Sequence, residues 1–274
     1  MRFASADEAL RAALAAGGAG PIAILLCEDG LLAADSAAHL LGLGAAAILT
    51  LGPEAPAEGP SLFAAPATLH DAAARAALLT RIIRAAAGRW LLIAFNGEFP
   101  YHPFAETRPL PALIEFLGTE RRRAAMGCAI DLYDDGMIGG GAPNLAAACF
   151  DADGWYGFER EGRLADVRGG LGWRFEDHAP PALARVNRPV LFRAEEGLEI
   201  GPDLWLSDPE MNAASCPWHL SPTLAVMSYR RTRRLLAHPA MRGLATLTWP
   251  KTARFEWRAG QLVRLGMIEE GQWF

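Results

Sequence analysis

The sequence predicts an α/β fold, a mostly parallel sheet with helices on both faces. Two observations carry this. Wholly apolar runs of strand length recur through the first half, as strands buried on both faces require. Segments of helical periodicity separate several of them, so the order reads β-α-β-β-α-β. Connections between its parallel strands are expected to be right-handed.

The elements follow in order. Met1 to Ala16 reads as an alanine-rich amphipathic helix. Pro21 to Cys27 reads as a first buried strand, Leu31 to Leu41 as a helix, and Ala45 to Leu51 as a second strand. Gly52 to Pro60 is rich in proline and glycine and predicts a loop. Leu62 to Ala65 predicts a short third strand. Asp71 to Ala87 predicts a helix, with Asp71 as cap and Leu78, Leu79, Ile82 and Ile83 as its apolar face. Gly88 ends it. Trp90 to Phe95 is the fourth strand, Leu110 to Leu117 a short helix, and Ala125 to Tyr133 another strand. From about residue 142 the helical periodicity falls and an irregular half is expected. Val190 to Phe192, Leu198 to Ile200 and Ala225 to Tyr229 read there as short strands, and Arg231 to His238 as a helix. No polar linker divides the chain, so residues 1–274 are expected to form one domain. Its halves cover about residues 20–140 and 141–274.

Composition narrows the function. The chain has 274 residues, 51% hydrophobic, enough to bury a sizeable core. A formal charge of −5 argues against a general nucleic-acid or membrane-surface binder. No apolar run reaches the length of a membrane span. No secretory signal opens the chain and no Cys-x-x-Cys pair occurs, so a reducing cytoplasm is expected. Lys251 is the sole lysine. This arginine bias, with the abundant alanine, resembles a GC-rich bacterial coding sequence. Arg230, Arg231, Arg233 and Arg234 cluster, and the expected role is a solvated helix face.

Candidate chemistry centres on Phe95-Asn96-Gly97-Glu98, at the carboxyl end of a buried strand, where α/β proteins hold ligands. Asp131, Asp134 and Asp135 follow another buried strand. Asp131 lies within that strand and is placed to act as a general base. Asp134 and Asp135 read as a polar Asp-Asp-Gly turn. Cys216-Pro217-Trp218-His219 lacks a second Cys/His pair for zinc. Gly169-Gly170-Leu171-Gly172-Trp173-Arg174 reads as a tight turn rather than a phosphate loop. Trp155, Tyr156 and Trp173 are expected in a small hydrophobic core rather than on a sugar ring. No Gly-x-Ser-x-Gly elbow or Walker loop is present.

Several ordered segments resemble the glycosyltransferase family 2-like proteins of bacteria, nucleotide-sugar transferases of GT-A fold. Glu28 after the first strand resembles the family's Asn-Glu. Trp90 to Glu98 resembles "W-x-x-x-x-D-x-D-E", and Tyr101, Glu106-Thr107-Arg108 and Leu110 resemble its continuation. Ile130 to Tyr133, Cys149-Phe150-Asp151 with Gly169-Gly170, and Gln261 to Met267 resemble later segments. The matches run from about residue 20 to 268. The resemblance implies a GT-A-like, Rossmann-like sheet. It implies a nucleotide-sugar donor and a saccharide-type acceptor, with Glu28, Asn96, Arg108 and Arg174 toward the nucleotide. Glu98 falls near the donor, and Asp131 is the candidate base.

The chain departs from that pattern where the metal would bind. Phe95 and Gly97 occupy the places of the two metal-binding aspartates. The nucleotide-holding acid falls near Gly52 or Pro53, and a late histidine near Met227. Mg2+ or Mn2+ would neutralise the diphosphate leaving group through hard oxygen ligands. Phe95 and Gly97 supply none. Strand alternation is expected to point Asn96 and Glu98 away from them. A conventional metal site is therefore not expected. Two readings follow: a transferase in which Arg108, Arg168 or Arg174 replaces the metal through bidentate phosphate contacts, or an inactive binding or assembly module on the same fold.

Overall fold

The computed structural model describes residues 1–160, 163–177, 185–213 and 221–274; of 156–160 and 163–166, only the backbone is described. Cys216, Pro217, Trp218 and His219, and the Tyr156 ring, lie outside the described residues.

The protein is α/β, with an eight-stranded, mostly parallel sheet flanked by helices. Helix α1 (Ala6–Ala16) is capped by Ser5 and buries Ala6, Ala9, Leu10 and Ala13, one helical stripe. Strand β1 (Ile22–Leu26), helix α2 (Ala33–Gly42), and strands β2 (Ala47–Leu51) and β3 (Leu62–Ala65) follow. Helix α3 (Ala72–Ala85) starts at Asp71, whose carboxylate accepts from Ala73 N and Ala74 N. Then come β4 (Trp90–Phe95), β5 (Glu98–Tyr101), α4 (Leu110–Thr119) and β6 (Ala124–Asp131).

The second half supplies β7 (Cys149–Asp151), β8 (Trp155–Arg160), β9 (Arg163–Gly169) and the short α5 (Gly170–Arg174). It continues with β10 (Asn187–Arg193), β11 (Leu224–Ser228), α6 (Tyr229–Leu236), β12 (Thr252–Arg254) and α7 (Ala259–Arg264).

The strand order is β3-β2-β1-β4-β10-β6-β11-β5. Strands β1, β2, β3 and β4 run together, as do β6 and β11, while β10 and β5 run against their neighbours. Side-chain alternation divides the core. Ile22, Ile24 and Leu26 join α1 and α3 on one face; Ala23 and Leu25 join α2 and α4 on the other. A third cluster, with Phe99, Met227, Phe150 and Leu262, closes the β5 end. Met227, near which the resemblance places a histidine, is thus a core side chain of β11.

Several expectations are corrected. The half expected to be irregular inserts β10 and β11 among the interior strands of the main sheet. Pro189, which cannot donate to a ladder, sits in β10 where the register with β6 shifts. Residues 198–200 form no strand; Ile200 makes only a single bridge with Leu206. The Gly169-Gly170 segment is a strand-to-helix junction rather than a lone turn, with Gly170 at φ +66°.

Gly52 has φ +142°, and a Cβ there would lie 2.0 Å from the carbonyl oxygen of Cys27. No side chain fits at Gly52, one of the two positions, with Pro53, near which the resemblance places the nucleotide-holding acid. Gly52→Ala is expected to cost on the order of 2–3 kcal/mol, from strain and overpacking together. An unchanged urea midpoint would refute this tight approach of β1 and β2. Among the described residues no helix is long and apolar enough to cross a membrane.

Candidate functional site

β4 ends at Phe95 and β5 begins at Glu98, so Asn96 and Gly97 form a tight turn. Gly97 takes φ +74°, the left-handed conformation that glycine adopts without penalty. Its N–H donates to Ser36 Oγ at 2.9 Å, and its carbonyl accepts from Tyr229 N at 2.9 Å. The turn breaks strand alternation and folds Glu98 back, so that Glu98 Oε2 accepts from Phe95 N at 2.9 Å. The expectation that Glu98 points away from Phe95 is therefore wrong: a turn, not a continuous strand, separates them.

Asn96 is committed to the fold. Its Oδ1 accepts from Glu28 N at 2.9 Å, and its Nδ2 donates to Asp29 Oδ1 at 2.6 Å and to Leu31 O at 2.9 Å. Both amide hydrogens are spent on shaping the loop between β1 and α2.

Phe95 is fully buried, yet its ring faces three cations. The Arg230 guanidinium carbon lies 3.6 Å from the ring centroid, that of Arg188 5.5 Å and that of Arg75 5.7 Å. An aromatic face attracts such charges, by about 2 kcal/mol when desolvated. The three come from α6, β10 and α3 respectively. Arg188 pairs with Glu98 at 2.6 Å, both nearly buried. Arg230 grips Glu28 through Nε at 2.7 Å and a terminal nitrogen at 2.6 Å. Burial raises the Glu28 pKa, but the hydrogen bonds and charge of Arg230, with Arg234 and Arg75 behind it, bring the net value below the ordinary one.

Arg75 has no carboxylate partner among the described residues. It donates to Leu69 O at 2.9 Å and Pro202 O at 3.2 Å, and its buried Nε has no partner. Burial, followed by the like charge of Arg230, lowers its pKa. Arg234 is exposed, makes no ion pair among the described residues, and is shifted down by burial and then by Arg230. Three guanidiniums thus face Phe95 and a fourth, Arg234, lines the same cleft; two carboxylates, Glu28 and Glu98, pair with them.

These groups open on a cleft of about 910 Å3, lined by Arg75, Phe95, Glu98, Arg188, Arg230 and Arg234 at one end. Trp205 also lines it and is covered by Arg185 at 3.7 Å. The cleft lies at the carboxyl ends of β4 and β11 and the amino end of β10, the edge where open α/β sheets hold ligands. The Arg230 to Arg234 cluster is therefore not the solvated helix face expected: Arg230, Arg231 and Arg234 line this cleft.

The other sequence candidates fall in different places. Arg168 lines the cleft. Arg108 does not; it stacks on Phe104 and Trp273 and donates to Trp273 O at 3.0 Å, holding the end of the chain. Glu106 accepts from Ala259 N at the start of α7. Arg174 lies among Tyr133, Phe175 and Trp249, 3.6 Å from Asp151, and does not line the cleft. Asp131 is buried, accepting from Arg231 Nε at 2.8 Å and from Leu171 N at 2.9 Å. Asp135 accepts from Thr246, Leu247 and Thr248, and Asp134 from Asn144 N. Both hold loops together. Trp155 packs against the third cluster.

Arg75 and Arg188 were missed, although each leaves a trace in the sequence. Arg75 lies on the buried stripe of α3 with Leu79 and Ile82, and Arg188 precedes the apolar run from Pro189 to Phe192. A charge inside an apolar pattern was the available signal.

The residues present do not suit the divalent cation that the resemblance implies. Asn96 is spent, Glu28 and Glu98 are held by arginines, and no group of three His, Cys, Asp or Glu side chains occurs among the described residues. No protein-family model, curated protein or solved structure matches this chain.

Proposed function

We propose that this protein is glycosyltransferase-like and of GT-A type. It takes a nucleotide-sugar into the arginine-lined cleft and transfers the sugar to a saccharide or similar acceptor without a conventional metal site. The observation that carries this reading is the position of the cleft. It opens at the carboxyl edge of a mostly parallel sheet, and cationic side chains line it where a charged leaving group would sit. In the transfer, the bond from the sugar's anomeric carbon to the diphosphate oxygen breaks. That oxygen leaves with the electron pair, and the guanidiniums stabilise its growing charge. The acceptor hydroxyl forms the new bond and passes its proton to a carboxylate, for which Asp131 is the candidate.

One observation favours a second reading, a binding or assembly module without catalysis. Both Asp131 oxygens are already engaged, one by Arg231 and one by the Leu171 N–H. Incubation with a panel of nucleotide-sugars in EDTA, with and without saccharide acceptors, separates the two. Release of nucleoside diphosphate supports transfer, and stabilisation without release selects the module. Absence of thermal stabilisation by any nucleotide, with or without Mn2+, would overturn the transferase reading.

A further inference from the structure

We infer that Arg75, Arg188 and Arg230, grouped on Phe95, form with Arg234 of the same cleft a seat for a dianionic phosphate group that is bound directly, with no divalent cation between ligand and protein. The inference rests on the cleft described above and adds what its ligand must carry. It does not require that a sugar be transferred.

The charge balance argues for it. Among the described residues, the ion pairs of these four guanidiniums are with Glu28 and Glu98, so Arg75 and Arg234 carry charges with no carboxylate bound to them. Like charges gathered at a partly desolvated site are unfavourable unless a counter-charge joins them. Arg75 is the sharpest case. It is 92% buried, has no carboxylate partner among the described residues, and keeps an unpartnered Nε. Arg188, equally buried, also has an Nε without a partner among the described residues. Buried donors of this kind require an explanation, and two of them line one cleft.

The platform fits the same purpose. Phe95 cannot compete for the cations as a carboxylate would. Its ring holds guanidiniums by attraction to its face and takes none of their N–H groups, and the Nε groups of Arg75 and Arg188 have no partner among the described residues. Guanidinium edges match phosphate oxygens two at a time. At the place where the resemblance expects an aspartate that grips a metal, the chain carries a ring that gathers arginines.

The test is calorimetric titration of the whole chain in EDTA with inorganic pyrophosphate, inorganic phosphate, UDP and ADP, and with nitrate as a singly charged control. The seat predicts binding of pyrophosphate or phosphate in EDTA and weak or absent binding of nitrate. Added Mg2+, which complexes pyrophosphate, should not strengthen binding. Comparing phosphate with pyrophosphate and the nucleotides shows whether a terminal phosphate or a diphosphate is the natural form. Arg234→Ala, at an exposed position, and Arg75→Met should each weaken binding about tenfold or more. If Arg75→Met fails to fold, Arg234→Ala decides. Binding that depends on Mg2+ or Mn2+, no binding of any phosphate in EDTA, or unchanged affinity in Arg234→Ala would overturn the inference. Pyrophosphate binding with no response to any nucleotide-sugar would uphold the seat and overturn the proposed function. Nucleotide-sugar binding that ignores the Arg75 and Arg234 changes would do the reverse.

Discussion

Phe95→Ala is expected to destabilise the fold by about 3–5 kcal/mol, the cost of deleting a large buried aromatic and leaving a cavity. The ring is inaccessible to solvent and packs in the cluster that contains Leu91, Ile93 and Leu79. A second loss is specific to this site. Three guanidiniums lie within 5.7 Å of the ring centroid, and without the ring they keep their mutual repulsion but lose the attraction that offsets it. Phe95→Leu separates the two contributions, since it retains much of the volume but has no aromatic face. It should retain most of the stability and lose phosphate affinity. Urea denaturation followed by tryptophan fluorescence measures the first effect. A loss below about 1 kcal/mol in Phe95→Ala would show that the ring is not the packed platform described.

Glu98→Ala is expected to cost a similar amount, about 3–5 kcal/mol, for a different reason. Glu98 and Arg188 form an ion pair at 2.6 Å whose side chains are 1% and 10% exposed. Removing one member leaves a buried charge without its partner, which is far costlier than never having placed the pair there. The carboxylate also accepts the Phe95 N–H and so helps to close the turn. Replacing both members, as in Glu98→Leu with Arg188→Met, should recover much of the loss. A double-mutant cycle then isolates the coupling. Additive single effects would refute the buried pair and show that Glu98 acts only through the turn.

Legibility differed sharply between the parts of this molecule. Strands β1, β2 and β4 and helix α3 were readable because each carries its own signal: an unbroken apolar run, or a capped apolar stripe. The turn at Asn96-Gly97 was harder to read. An unbroken strand would carry Glu98 to the side opposite Phe95, whereas the turn folds it back onto Phe95 N. The Asn-Gly pair that favours a tight turn was there to be used. The insertion of β10 beside β4 had no local signal at all. It depends on pairing with β4 and β6, both distant in sequence.

The candidate site divides in the same way. Local sequence marked Phe95, Glu98 and Glu28 as the residues to follow. It also drew attention to Arg108 and Arg174, which proved to hold a chain end and a distant cluster. The arginines at Phe95 come from α3, β10 and α6. Glu98 meets Arg188 across 90 positions of sequence, and Glu28 meets Arg230 across 202. Hydrophobic periodicity depends on near neighbours and determined this protein's elements and its buried strand ends. Charge pairing acts through space, so only the tertiary structure decided which guanidiniums share one ring and which carboxylates neutralise them.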